Sequence, residues 1–225
     1  IVVGDVLVTE HNYKNITGSG ITAKLTDVGA SLVQLYVPDP KGNVADVVLG
    51  FDSPDEYTAS GTFFGATVGR CANRIGGACF TLNGETVQLP QNEKTNNLHS
   101  GPDYFKNRLW TVEEVTDNSI RMSLFSPDGD QGFPGNATVC VTYTLETDRL
   151  RIDYDGVCDR DTVFNLTNHS YFNLAGHDHP EKAMAQTLSM PARFFTPDDA
   201  FAIPTGELRN VENTPFDFRI PKAIG

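Results

Sequence analysis

Apolar and polar residues alternate with a period of two along most of the chain, the signature of half-buried β-strands. The alternation runs through residues 1–9, 21–25 and 31–37, where Pro38-Asp39-Pro40-Lys41-Gly42 turns the chain. It returns in residues 110–116 and 119–125 around Asp117-Asn118, and most regularly in 137–145 and 150–157, joined by Glu146-Thr147-Asp148-Arg149. Residues 80–89 carry Asn83-Gly84 at their middle, which predicts a tight hairpin. Residues 183–190 predict one further strand, and Ser53-Pro54-Asp55-Glu56-Tyr57 has the cap, proline and acidic first turn of a brief helix. Almost no segment shows a 3.6-residue period. The expectation is an all-β chain, a largely antiparallel sandwich, with 1–225 forming one domain.

Composition narrows the function classes. Seventeen basic against twenty-nine acidic residues give a formal net charge of −12, which repels nucleic acid and anionic membrane surfaces. A polar, neutral small ligand suits the chain better, with no nucleic-acid or membrane partner. The four cysteines, Cys71, Cys79, Cys140 and Cys158, have neither a C-x-x-C spacing nor a histidine at zinc-site distance, so no metal is expected and reduced, cytoplasmic thiols are. Sequons at Asn15, Asn136, Asn165 and Asn168 argue for secretion, but two of them fall in the stretch with the most site-like composition, where a glycan would block any ligand. No signal peptide or membrane-spanning run is read. The chain begins at Ile1 without methionine and stops at Gly225 in mid-pattern, which suggests a piece of a longer protein.

That site-like stretch is 165–176, Asn-Leu-Thr-Asn-His-Ser-Tyr-Phe-Asn-Leu-Ala-Gly. As one strand it would send Asn165, Thr167, His169, Tyr171 and Asn173 to one face, leaving Asn168, Ser170 and the apolar residues on the other. A histidine among amides can exchange a proton with a ligand whose hydroxyls the amides hold. Its rival is a structural histidine that only cross-links strands. In Gly69-Arg70-Cys71-Ala72-Asn73-Arg74-Ile75 two arginines offer fixed donors to hydroxyls, against the alternative that either pairs with one of the many carboxylates. His99 stands in a loop bounded by glycine and proline.

Six segments in this order, 69–75, Asn97-Leu98-His99-Ser100-Gly101, Gly132-Phe133-Pro134-Gly135, 168–174, Pro204-Thr205-Gly206 and Thr214-Pro215-Phe216-Asp217-Phe218, resemble the aldose 1-epimerase (galactose mutarotase) family. The resemblance implies the galactose mutarotase-like β-sandwich and interconversion of the α and β anomers of free aldohexoses such as galactose and glucose, without a cofactor. It implies that Asn73, Arg74 and His99 bind the sugar, that His169 is the general acid, and that Tyr171 lines the same cleft. The family's general base, a glutamate, and a sugar-binding aspartate before it would both fall after Gly225. Ser100 departs from the usual glycine, and Cys71 from the usual aromatic or aliphatic residue. Two rivals remain: an epimerase of hexose 6-phosphates, which needs a basic cluster for the phosphate, and a non-catalytic carbohydrate-binding sandwich. Oligomeric state is not legible.

Overall fold

The computed structural model describes residues 2–3, 6–7, 13–18 and 20–225. Two dipeptide strands, β1 (Val2–Val3) and β2 (Val6–Leu7), pair antiparallel; the rest of the alternation read in residues 1–9 lies outside the described residues. Next, β3 (Tyr13–Thr17), β4 (Thr22–Thr26), β5 (Ser31–Pro38) and β6 (Val44–Asp46) form a four-stranded antiparallel sheet in chain order. Its β5–β6 turn is held by Asp39, whose Oδ1 accepts the Lys41 and Asn43 N–H groups at 2.8 and 2.9 Å. The helical turn α1 (Pro54–Ala59) follows, closed at its start by Ser53 and Glu56 in a capping box, as the sequence predicts.

Short strands then place the loops: β7 (Thr67–Val68), β8 (Arg74–Ile75), β9 (Cys79–Leu82), β10 (Glu85–Gln88) and β11 (Asn97–Leu98). β9 and β10 form the predicted hairpin, with Leu82 opposite Glu85 and both turn residues in the left-handed region, Asn83 at φ 52° and Gly84 at φ 85°. A second four-stranded antiparallel sheet contains β12 (Thr111–Val115), β13 (Ser119–Ser126), β14 (Ala137–Leu145) and β15 (Leu150–Cys158), again in chain order. Along β14 burial alternates without a break, so Val139, Val141 and Tyr143 all face inward.

The inward faces of the two sheets meet in one cluster, with Ile16, Leu25 and Leu32 from the first against Ile120, Met122, Val141 and Tyr143 from the second. This is the sandwich the period-two pattern predicts. Among the described residues no helix is long and apolar enough to cross a membrane.

The C-terminal part departs from expectation. The stretch 165–176 contains only one ladder segment, β16 (Thr167–Asn168), paired with β7. Residues 183–190 do not form a strand: a one-turn helix, Pro180–Ala185, precedes a two-residue β17 (Thr187–Leu188). Pro180 at a first helical position and lysine, alanine and methionine after it favour that turn. Two further pairs complete the chain, β18 (Phe194–Phe195) with β19 (Arg209–Asn210), and β17 with β20 (Lys222–Ala223).

Candidate active site

β16 owes its position to its buried neighbour. Asn168 turns inward, its amide nitrogen donating to the Gly65 carbonyl at 2.8 Å and to the Tyr143 hydroxyl at 3.1 Å, and Tyr143 donates in turn to the Ala30 carbonyl at 2.7 Å. With Asn168 inside, a strand must send Thr167 and His169 out. Gly65 makes the close approach possible: at φ 65°, a β-carbon there would lie 1.9 Å from the Leu32 carbonyl oxygen. Asn168 is thus a structural amide and no free glycan acceptor, and the Asn136 amide is likewise engaged, by Asp159 at 2.7 Å.

His169 faces an open pocket of about 560 Å³ with Asn73, Arg74, His99, Asn165 and Thr167 on its walls. A second hollow of about 620 Å³ continues past Asn73 and Arg74 to Phe195, Asp198 and Phe216. The rings of His99 and His169 lie 5.4 Å apart, edge to face. The structure thus brings Asn73, Arg74, His99 and His169 to one pocket, across nearly a hundred residues.

His99 is held in a defined state. Its backbone sits in the left-handed region at φ 56°, and its Nδ1 accepts the Asn73 N–H at 3.0 Å, which assigns the remaining proton to Nε2. Burial, then His169 and Arg74 as neighbouring cations, push its pKa down to about 4, so at neutral pH it is an uncharged donor. Ser100 bolts this loop down: its hydroxyl accepts the Cys71 N–H at 2.8 Å and donates to the Cys71 carbonyl at 3.0 Å. A glycine could make neither bond.

The two arginines separate. Arg74 pairs with Glu93 at 2.9 Å, which holds its guanidinium above the usual pKa range and leaves Nη1 beside the Asn73 side chain at 3.3 Å. Arg70 is no ligand donor. It is 1% exposed and donates to the carbonyls of Ser126, Pro127, Pro134 and Gly135 and to the hydroxyls of Ser126 and Thr162. Neither a hydroxyl ligand nor a carboxylate claims it; it staples the 126–135 loop from inside, and Arg108 holds Asp130 of the same loop at 2.7 Å.

Tyr171 and Asn173 break the predicted single face. The Tyr171 ring lies 5.3 Å from His169, yet half of the residue is exposed and it borders a separate groove with Leu49, Phe172 and His177. Asn173 is buried and donates to the His179 carbonyl at 2.9 Å. Once β16 ends, the chain is governed by its pairing with Val47 and Leu49, through Asn173 N–H and Tyr171 C=O at 2.9 and 3.0 Å.

Phe63 escaped the sequence reading altogether. Its ring packs 4.8 Å from His99, 5.5 Å from His169 and 5.0 Å from Tyr104, forming the backstop of the pair. Glu93, whose carboxylate fixes Arg74, escaped it too. Neither carries a local signal, because each matters only through a residue distant in sequence.

Residues 13–225 match the family model described as aldose 1-epimerase. The chain is 44% identical over 207 residues to the aldose 1-epimerase of Haemophilus influenzae, an alignment covering 92% of this chain and 60% of that protein. It is 43% identical over 197 residues to the galactose mutarotase of Bos taurus, covering 88% and 57% respectively. In three dimensions it is similar to the aldose epimerase homologue of C. elegans, with a TM-score of 0.88 at 36% identity over 95% of this chain and 66% of that one. It thus spans about 60% of the length of the curated relatives it matches. With the sandwich, the ordered motifs and a family match over nearly its whole length, this chain belongs to the aldose 1-epimerase family.

Proposed function

We propose that the protein interconverts the anomers of free aldohexoses such as galactose and glucose, with His169 as general acid and Asn73, Arg74 and His99 as sugar ligands. The observation that carries this reading is the pairing of His169 with an uncharged His99 over a pocket whose other polar groups are two amides, a hydroxyl and one arginine paired with Glu93, beside the apolar Ala72 and Leu166. Such walls suit hydroxyls. They suit a phosphate poorly, since Arg70 is caged by carbonyls and Arg74 is already paired with Glu93.

Anomer exchange opens the pyranose ring. A proton passes to the ring oxygen as the C1 hydroxyl loses one, the C1–ring oxygen bond breaks and C1 becomes a carbonyl. Rotation about C1–C2 and closure from the other face complete the exchange. His169 supplies the first proton, a contribution typically about 10²–10⁴-fold in rate. His99 donates from Nε2, and Asn73 and Arg74 fix the pyranose so that its ring oxygen meets His169. Tyr171 closes the edge of the cleft beside His169.

Ring opening also requires a base. Among the described residues no carboxylate lines the pocket around His169, and the reading assigns the base to a carboxylate outside residues 1–225. That same observation favours a second reading, a carbohydrate-binding sandwich without turnover. The four cysteines are unpaired, with Cys79 exposed, which supports a reducing, cytoplasmic location.

Polarimetry on freshly dissolved α-D-galactose, with a protein that carries residues 1–225 together with the segment that supplies the base, its His169→Asn variant and a protein-free blank, decides between the readings. Acceleration abolished by the substitution is the expected outcome. A folded protein of that length that binds galactose without accelerating exchange would replace the enzyme reading with the binding one. Arg74→Ala is expected to raise the half-saturating galactose concentration with a smaller effect on maximal rate; an unchanged value would remove Arg74 from the site.

A further inference from the structure

Lys106 is a buried cation that the chemistry above does not use. It is 6% exposed, sits in the one-turn helix Phe105–Asn107, and burial lowers its pKa. Among the described residues no carboxylate pairs with it. A buried ammonium without a counter-ion is destabilising unless its surroundings give something back. Two contacts do so here. Its Nζ donates to the Ser60 carbonyl at 2.8 Å and lies over the Phe63 ring, 5.3 Å from the centroid.

These contacts converge on one object. Ser60, at the end of α1, stands three residues before Phe63, and its hydroxyl bonds that of Thr62 at 2.9 Å. Phe63 in turn packs against both imidazoles. A lysine tied both to the Ser60 carbonyl and to the Phe63 ring three residues on fixes where that ring stands. We propose that Lys106 is a positioning residue for the His99–His169 pair, acting through Phe63, so that the two imidazoles keep one mutual geometry while the pocket fills and empties. The proposal rests on the acid and ligand roles given to those histidines above.

One effect separates this role from simple packing. Phe63 displaced by an ångström would shift His169 relative to a bound ring oxygen, which lowers the chemical step more than binding.

The test uses a protein that carries residues 1–225 and the segment that supplies the base, and compares it with its variants Lys106→Met, which keeps the stem, Lys106→Arg, which keeps the charge, and Phe63→Leu, which keeps apolar volume. Lys106→Met is expected to shift the ring resonances of both His99 and His169 in NMR spectra. It is also expected to lower kcat for galactose about 10²-fold with KM within a few-fold. Lys106→Arg is expected to restore most of each change. Unchanged ring resonances and kcat in folded Lys106→Met would overturn the proposal, as would an arginine variant no better than methionine. If the methionine variant does not fold, Phe63→Leu decides alone: displaced imidazole resonances sustain the proposal and unmoved ones refute it. A wild-type protein of that length without turnover would count against the enzymatic reading, whereas the NMR comparison still decides the role of Lys106.

Discussion

At the scale of single residues, His99 makes the clearest pH prediction. Its folded pKa of about 4 lies below its ordinary 6.5, so between these values the unfolded chain binds more protons than the folded one. Its contribution to stability is complete above 6.5 and is lost as pH falls toward 4. Chemical denaturation of wild type and His99→Gln at neutral and mildly acidic pH should show a flatter profile for the variant; parallel profiles would contradict the depressed pKa. Arg70 makes the second prediction. Arg70→Met strips four buried or part-buried carbonyls of their donor, and the expected loss is on the order of 3 kcal/mol in urea unfolding. A loss below about 1 kcal/mol would mean water replaces the guanidinium.

Among elements, β16 shows how a two-residue ladder can position a site. Its geometry depends on Asn168, and Asn168 depends on Tyr143 at the centre of β14. Tyr143→Phe keeps the ring in the core but leaves the Ala30 carbonyl with only the Thr67 hydroxyl, at 3.3 Å, and one Asn168 proton without its partner. The expected cost is about 1–2 kcal/mol in thermal or chemical unfolding, with the His169 ring resonance displaced. Stability lost with His169 unmoved would mean that β7 alone holds the strand. Residue 100 has a comparable role for the loop between β11 and the one-turn helix at Phe105. Ser100→Gly should leave the chain folded and loosen His99, seen as faster amide exchange at Asn73 and His99.

On the whole molecule, apolar exposure is concentrated after β16. Leu174, Ile220 and Leu208 are 74%, 79% and 69% exposed, and Met184, Phe216 and Phe172 more than half exposed. On the second sheet β15 is an edge strand with Val157 70% exposed. Surfaces of this kind associate. Sedimentation of the isolated chain is expected to show concentration-dependent self-association that weakens in a Val157→Lys, Ile220→Lys double variant; a monomer at all concentrations would show that these side chains do not form a sticky patch.

How much the sequence disclosed follows from the range of the forces involved. The sandwich strands were legible because period-two burial is written into each strand, most plainly in residues 137–145, where alternation alone sends Tyr143 inward. The turn at Asn83-Gly84 and the cap at Ser53 were legible because left-handed backbone and helix ends demand particular local residues. The family motifs also named His99, His169, Asn73 and Arg74, and the structure brings them to one pocket. Only the tertiary structure separated Arg70 from Arg74, since a guanidinium surrounded by carbonyls and one facing a cleft have the same sequence neighbourhood. Only it turned Asn173 inward, because pairing with Val47 overrode the alternation begun at Asn165. Phe63, Glu93 and Lys106 stayed hidden for the same reason. Periodicity and turn chemistry act between near neighbours and can be read along the chain, whereas the partner of a buried charge is chosen by which distant segments the core brings together.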